Sequence, residues 1–126
     1  MKKLKNQSLR ENKLKRESKL YLEDILEAIS RINEYTLQKE FNEISEEKIT
    51  VDAVLRNLEV IGEAATHIPK EIKDKFPEVP WRDISDFRIV VAHHYWKINF
   101  DIINDIIKNK LDELENKINK ILKTLL

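Results

Sequence analysis

The chain has 126 residues, enough for one domain with a real hydrophobic core but too few for two independent domains. Its 23 basic and 23 acidic residues cancel, so the net charge gives no reason to expect general affinity for nucleic acids. The sequence has no cysteine, which excludes disulfides and thiolate metal sites, and no apolar run long enough to span a bilayer. We therefore expect a soluble, cytoplasmic protein with no signal peptide and no membrane association.

The charges are unevenly distributed along the chain. Residues 1–19 contain eight Lys or Arg and two Glu, a net charge of +6, which leaves −6 for the remainder. We expect a basic N-terminal extension over residues 1–19, with helix from about Arg10, ahead of a helical domain over residues 20–126. The extension could contact RNA or an acidic partner, or it could be a solvated, frayed terminus.

From Leu20 onward a helical pattern becomes clear. Apolar residues recur at the 3, 4, 7 spacing of one stripe on an amphipathic helix, namely Leu22, Ile25, Leu26, Ile29 and Ile32. Residues 36–47 have weaker periodicity and are predicted to form a connection with one short turn around Lys39–Phe41.

A second long helix is predicted from Ser45 or Glu46 to His67, with Ser45 as an imperfect capping residue. Its inward positions are Val51, Val54, Leu55, Leu58, Ile61, Ala65 and Ile68. The only glycine of the chain, Gly62, falls inside this helix, where it costs about 1 kcal/mol relative to alanine. A glycine at such a position indicates that another backbone approaches closely.

The last part of the chain predicts one short helix and two longer ones. Pro69 opens the short helix, because proline fits the first turn. Helices are then predicted from Trp81 to His94, with Ile84, Phe87, Val90 and Val91 inward, and from about Asn99 to Leu125. The apolar face of the last helix, from Ile102 to Leu125, is longer than one small bundle needs, so part of it is expected to meet a second subunit. The predicted fold is an all-α, antiparallel four-helix-type bundle with short extra helices, present as a homodimer.

Arg88 and His93 are the candidate catalytic residues. Arginine can hold a phosphate bidentately, and histidine exchanges protons near neutral pH. The two positions lie about 140° apart on a straight helix, so they share a cleft only if the helix ends near His93. In the alternative interpretation Arg88 pairs with Asp83, Asp86 or another carboxylate, and His93 is a half-buried structural residue.

The neighbouring candidates have weaker signals. His94 points about 100° away from His93, and adjacent histidines do not make a metal pair, so no metal site and no cofactor are expected. His67 is interpreted as structural, since a cation suits a helix C-terminus. Arg56 and Glu63 share one helix face and could position Arg88 or the substrate, although an ion-pair network is the preferred interpretation.

Four segments in this order resemble the HepT-like members of the HEPN superfamily, and the resemblance covers roughly residues 20–115. They are YLEDILEAISRINEYT (Tyr21–Thr36), VDAVLRNLEVIGEAA (Val51–Ala65), FPEVPWRDI (Phe76–Ile84) and RIVVAHHY (Arg88–Tyr95). The resemblance implies a helical homodimer whose interface cleft carries the Arg-x4-His-x-Tyr motif of both subunits.

The resemblance also implies a function. Such proteins are metal-independent endoribonucleases that act as toxins of type VII-like toxin–antitoxin systems. Their partner is a minimal nucleotidyltransferase antitoxin, which transfers AMP to the motif tyrosine, here Tyr95. Negative charge and bulk at Tyr95 would block an RNA phosphate beside Arg88 and His93.

The chain departs from the family pattern around the motif arginine. Ile89 stands where the family usually has a polar residue, and Asp86-Phe87 stands where Gly-Met is common. Ile89 removes a possible hydrogen bond to the active residues, so catalytic strength is the property most affected. The alternative function is a non-catalytic module that binds the nucleotidyltransferase or a nucleotide; a purely structural helical dimer is the third.

Overall fold

The computed structural model describes residues 2–92 and 100–125. For residues 2–5, 90, 92 and 100 it describes the backbone alone. Every regular element in these ranges is helical, which confirms the all-α prediction. The elements are α1 (Lys2–Thr36), α2 (Phe41–Glu46), α3 (Lys48–His67), α4 (Lys70–Lys75), α5 (Trp81–Ser85), α6 (Phe87–Ala92), α7 (Phe100–Asp105), a π-helical turn (Ile106–Lys110) and α8 (Leu111–Leu125).

Helix α1 continues without interruption through the basic segment and the first predicted stripe. Four stripe residues are fully buried, Leu22, Ile25, Ile29 and Ile32, and Leu26 is partly buried. Toward its N-terminus the helix is held to α4 by an ion pair of 2.9 Å between Arg10 and Glu71. Because α1 begins at Lys2, the helix starts earlier than the predicted Arg10. A separate extension over residues 1–19 stays a prediction.

Helices α1 and α3 pack antiparallel and form the centre of the bundle. Tyr21, early in α1, stacks on His67 at the end of α3. Farther along α1, Arg31 shares the lining of a cavity with Asn57, which precedes His67 in α3. All the predicted inward positions of α3 and the following residue Ile68 are buried, and α3 also contacts α5 and α6.

The connection between α1 and α3 is more ordered than the predicted single turn. Gln38 adopts a positive φ of 57° and ends the α1 turn, and α2 follows. The predicted cap at Ser45 is wrong, because Ser45 lies inside α2 and its hydroxyl donates to the carbonyl of Asn42. Instead Glu47 precedes α3, and hydrogen bonds from Lys39 (2.6 Å) and Thr50 (2.7 Å) lower the pKa of its carboxyl.

The predicted helix from Trp81 is divided at Asp86 into α5 and α6. The amide of Asp86 donates to the carbonyl of Arg82, and the amide of Ile89 donates to the carbonyl of Asp86. Trp81 fixes the start of this pair, because its buried indole donates from Nε1 to the Phe76 carbonyl at 3.0 Å. The part of the prediction beyond Ala92 lies outside the described residues.

The predicted last helix contains a π-helical turn that adjusts its apolar face. Ile106 and Leu111 are both buried although they are five residues apart, a spacing that one extra residue in the turn accommodates. Ile102 lies off the buried face and is 48% exposed. No helix within the described ranges is long and apolar enough to cross a membrane.

Candidate functional site

Arg88 lies in the first turn of α6, next to a residue that anchors this helix in the core. Phe87 is buried, so the residue after it on the helix points outward, and the Arg88 side chain is 45% exposed. Its guanidinium has five N–H donors in a fixed planar arrangement suited to a phosphate or a carboxylate. The fold thus gives Arg88 a fixed backbone and a side chain that solvent can reach.

Gly62 of α3 supports the backbone of Arg88. A Cβ atom at Gly62 would lie 2.9 Å from the backbone N of Arg88 and 3.2 Å from its Cβ. It would also lie 3.2 Å from the carbonyl O of Ser85. Real Cβ atoms essentially never approach a neighbour within 3.0 Å. The predicted close approach at the glycine is therefore confirmed, and the approaching backbone is that of the candidate catalytic arginine.

Glu63, the next residue of α3, contacts the Arg88 side chain. Its Oε1 lies 3.8 Å from Nη1 of Arg88, and the two side chains are 53% and 45% exposed. This distance is an ion pair without a direct hydrogen bond. An exposed pair of this kind contributes little stability, so a phosphate can replace the carboxylate at low cost. Within the described residues Arg88 thus pairs with a carboxylate, as the alternative interpretation predicted, and that carboxylate belongs to Glu63 rather than to Asp83 or Asp86.

Arg56 lies near Glu63 on the same side of α3 but has a different partner. Its Nη1 is 3.5 Å from Oε2 of Glu59, one turn along the helix. Arg56 and Glu63 both line a surface cavity of about 190 Å³ between α1 and α3. Arg56 and Glu63 each form an ion pair, as the preferred interpretation predicted, and of the two only Glu63 is paired with Arg88 within the described residues. His94, the third possible supporting residue, lies outside the described residues.

Tyr21 and His67 also line this cavity, and neither was predicted as a functional residue. Their rings stack at a centroid distance of 5.2 Å and an angle of 19°. Tyr21 is partly buried, whereas His67 is exposed, so the tyrosine covers only part of the imidazole. The two residues are far apart in the sequence, and a local pattern gives no sign of their contact.

The remaining candidates, His93, His94 and Tyr95, lie outside the described residues, as does Trp96. Their proximity to Arg88 and their roles stay predictions. Ile89, the departure from the family pattern, is 45% exposed and does not fill the core. Within the described residues, no group of three or more His, Asp or Glu is arranged to hold a metal ion.

Comparisons with known proteins associate the chain with ribonucleases. The model of the family described as "Ribonuclease HepT-like" matches residues 25–121. The chain is 39% identical over 111 residues to "Putative RNase MJ0127" of Methanocaldococcus jannaschii, covering 88% of this chain and 92% of that protein. It is 38% identical over 110 residues to "Probable ribonuclease HepT" of Thermococcus cleftensis, covering 87% and 100%. No solved structure gives a significant match.

Proposed function

Because the chain belongs to the HepT-like ribonuclease family, we propose that it is an endoribonuclease in which Arg88 binds the scissile phosphate. The observation that carries the proposal is the placement of Arg88. Its backbone is fixed against Gly62, while among the described residues its exposed guanidinium forms a 3.8 Å ion pair with Glu63. An arginine with a fixed backbone and a weakly paired side chain suits a phosphate that must bind, react and leave.

The proposed reaction is metal-independent transesterification within the RNA. His93 takes the proton of a ribose 2′-hydroxyl, whose oxygen attacks the adjacent phosphorus. The bond from phosphorus to the 5′-oxygen breaks, and His93 of the partner subunit protonates that oxygen. The products are a 2′,3′-cyclic phosphate and a free 5′-hydroxyl. Arg88 donates to the phosphate oxygens, where negative charge increases in the transition state.

A homodimer supplies the second histidine, and two exposed isoleucines support it. Ile89 is 45% exposed and Ile102 is 48% exposed, and they stand on either side of residues 93–99 in the sequence. Large exposed apolar side chains are candidates for burial against a partner. Replacing Ile102 by aspartate should give a monomer without RNase activity. Ile49 lies in the first turn of α3 and is 86% exposed, and its replacement by aspartate should preserve both the dimer and the activity.

The cleavage test compares the wild type with Arg88→Ala and His93→Ala on labelled single-stranded RNA in excess EDTA. Both variants should lose at least about a hundredfold in rate, as for removal of a transition-state charge partner or a proton-transfer group. Arg82→Ala is the matched control, because Arg82 is an exposed arginine on α5. Cleavage that requires a metal ion, or that continues in His93→Ala, would refute the mechanism.

We further propose that the protein is the toxin of a type VII-like toxin–antitoxin system. A minimal nucleotidyltransferase antitoxin transfers AMP from ATP to Tyr95: the tyrosine oxygen attacks the α-phosphorus, and pyrophosphate leaves. The added phosphate is anionic and would compete for Arg88 with the phosphate of RNA. The support is family membership and the weak hold of Glu63 on Arg88.

Intact mass tests this second step directly. The protein purified with its neighbouring nucleotidyltransferase should gain mass in steps of one AMP, and Tyr95→Phe should gain none. An unchanged wild-type mass would refute AMP transfer and leave inhibition to direct binding.

The alternative function, a non-catalytic partner-binding module, is favoured by the exposed Ile89, which offers an apolar contact where the family usually has a polar side chain. Under that alternative His93→Ala would leave growth inhibition unchanged, whereas the ribonuclease mechanism predicts that it is abolished.

A further inference from the structure

The cavity between α1 and α3 has the composition of a recognition pocket and is linked to Arg88 through one shared residue, Glu63. Glu63 belongs to both features, because it lines the cavity and contacts the Arg88 guanidinium. The stacked rings of Tyr21 and His67, together with Asp24 and Arg56, line the rest of its polar and aromatic surface. A group bound in the cavity and a phosphate bound by Arg88 would therefore both lie next to Glu63.

We propose that this cavity binds one unpaired nucleobase of the RNA, at a nucleotide next to the scissile phosphate. The proposal rests on the ribonuclease function proposed above and adds a specificity site to it. Sequence-specific recognition of RNA targets unstacked bases, which stack on aromatic side chains and bond through their polar edges. The exposed His67, backed by Tyr21, supplies a stacking surface of this kind.

The charges of the cavity favour a base over a phosphate. Asp24 and Glu63 place two carboxylates in its lining, and these would repel a second phosphate. Carboxylates accept hydrogen bonds from the exocyclic amino groups of bases, as Asp and Glu do from the N4 amino group of cytosine. Arg56 is in the same lining and can donate to a ring nitrogen or carbonyl of the base.

This donor and acceptor arrangement predicts a base preference. Adenine and cytosine present an amino donor that Asp24 can accept. Uracil presents a single N–H, at N3, between two carbonyl oxygens, so a carboxylate that accepts from this N–H would lie close to both oxygens and be repelled by them. The cavity should therefore prefer amino-bearing bases and disfavour uracil. Replacing Asp24 by asparagine supplies an amide that can donate as well as accept, which should reduce the preference.

The test measures binding of labelled (rA)8, (rC)8 and (rU)8 to the full-length His93→Ala protein by fluorescence anisotropy. We expect Kd for (rA)8 and (rC)8 to be about tenfold lower than for (rU)8. Asp24→Asn should reduce this ratio to about threefold or less. Glu23→Gln is the matched control, because it removes the adjacent exposed carboxylate, which pairs with Lys19, and should keep the full ratio.

A second pair of variants tests the stacking surface. His67→Ala should raise Kd for (rA)8 about tenfold, within the range found for base–aromatic stacking, whereas His67→Phe retains a ring and should remain near the parent value. Equal base ratios in Asp24→Asn and Glu23→Gln, or an unchanged Kd in His67→Ala, would overturn the proposal. The proposal would also be overturned if free AMP displaced the labelled (rA)8 as well as unlabelled (rA)8 does at the same nucleotide concentration. That result would indicate a site for a free mononucleotide rather than for a base of RNA.

The two proposals can fail separately. The binding assay needs no cleavage, so a lost base preference counts against the cavity alone. RNA cleavage by His93→Ala counts against the catalytic mechanism and leaves the binding ratios interpretable.

Discussion

Gly62→Ala is the substitution that most directly tests how α3 positions Arg88. The new Cβ would lie 2.9 Å from the Arg88 backbone N, 3.2 Å from the Arg88 Cβ and 3.2 Å from the Ser85 carbonyl O. None of these atoms is the end of a flexible side chain, so no rotamer change can relieve the contact. The α5–α6 segment must therefore move away from α3 by a few tenths of an ångström.

Two opposing terms set the expected change in the free energy of unfolding. Alanine in place of glycine in a helix interior stabilises by about 0.5–1 kcal/mol. Forcing an extra methyl group into a packed contact costs about 1–3 kcal/mol. The second term should win, because the neighbour is backbone, giving a net loss of about 0.5–2 kcal/mol. Urea denaturation measures this loss, and RNA cleavage should fall about tenfold or more because Arg88 is displaced.

Asp52→Ala provides the control on the same helix, because Asp52 is exposed and its replacement adds helix propensity without a steric contact. Its free energy of unfolding should change by less than about 0.5 kcal/mol in either direction, with full cleavage activity. If Gly62→Ala stabilised the protein by about 1 kcal/mol and kept wild-type cleavage, the argument that α3 positions Arg88 would be refuted.

Two further predictions concern the helix starts. Hydrogen bonds from Lys39 and Thr50 lower the pKa of the Glu47 carboxyl in the folded protein. The ionised carboxyl therefore stabilises the fold at pH values above its unfolded-state pKa of about 4.3. This stabilisation is lost as the pH falls through the lower folded-state pKa. The difference in unfolding free energy between wild type and Glu47→Gln should therefore shrink between pH 7 and strongly acidic pH; a constant difference would contradict this assignment. Trp81→Phe keeps an aromatic ring but removes the 3.0 Å hydrogen bond to the Phe76 carbonyl. Urea denaturation should therefore show a free energy of unfolding lower by about 1–2 kcal/mol. A loss below about 0.3 kcal/mol would mean that this hydrogen bond does not stabilise α5.

The sequence predicted those features that depend on local periodicity. The stripe from Leu22 to Ile32 and the inward face of α3 are buried as the 3, 4, 7 spacing indicates. Gly62 predicted a close backbone approach, because glycine in a helix interior is costly without a packing reason. The identity of the approaching segment was not predictable, since it depends on how α6 packs against α3.

Other features have no local signal, or only a weak one. The break at Asp86 contains neither glycine nor proline, so the pattern of inward residues favoured one continuous helix. The π-helical turn leaves a trace only in the spacing of five between the buried Ile106 and Leu111. The stacking of Tyr21 on His67 depends on the antiparallel packing of two helices and could not be read from either one alone.

Helix α3 carries the core and the candidate site on opposite faces. Arg56, Glu63 and His67 lie within about 40° of one another at 3.6 residues per turn. The buried positions are centred on the opposite side of the helix, at Val54, Leu58, Ile61 and Ala65. Because the outward residues are exposed and weakly paired, they can change with little effect on stability. Gly62 stands between the two faces, against Arg88, and is the position where a single methyl group should affect both stability and cleavage.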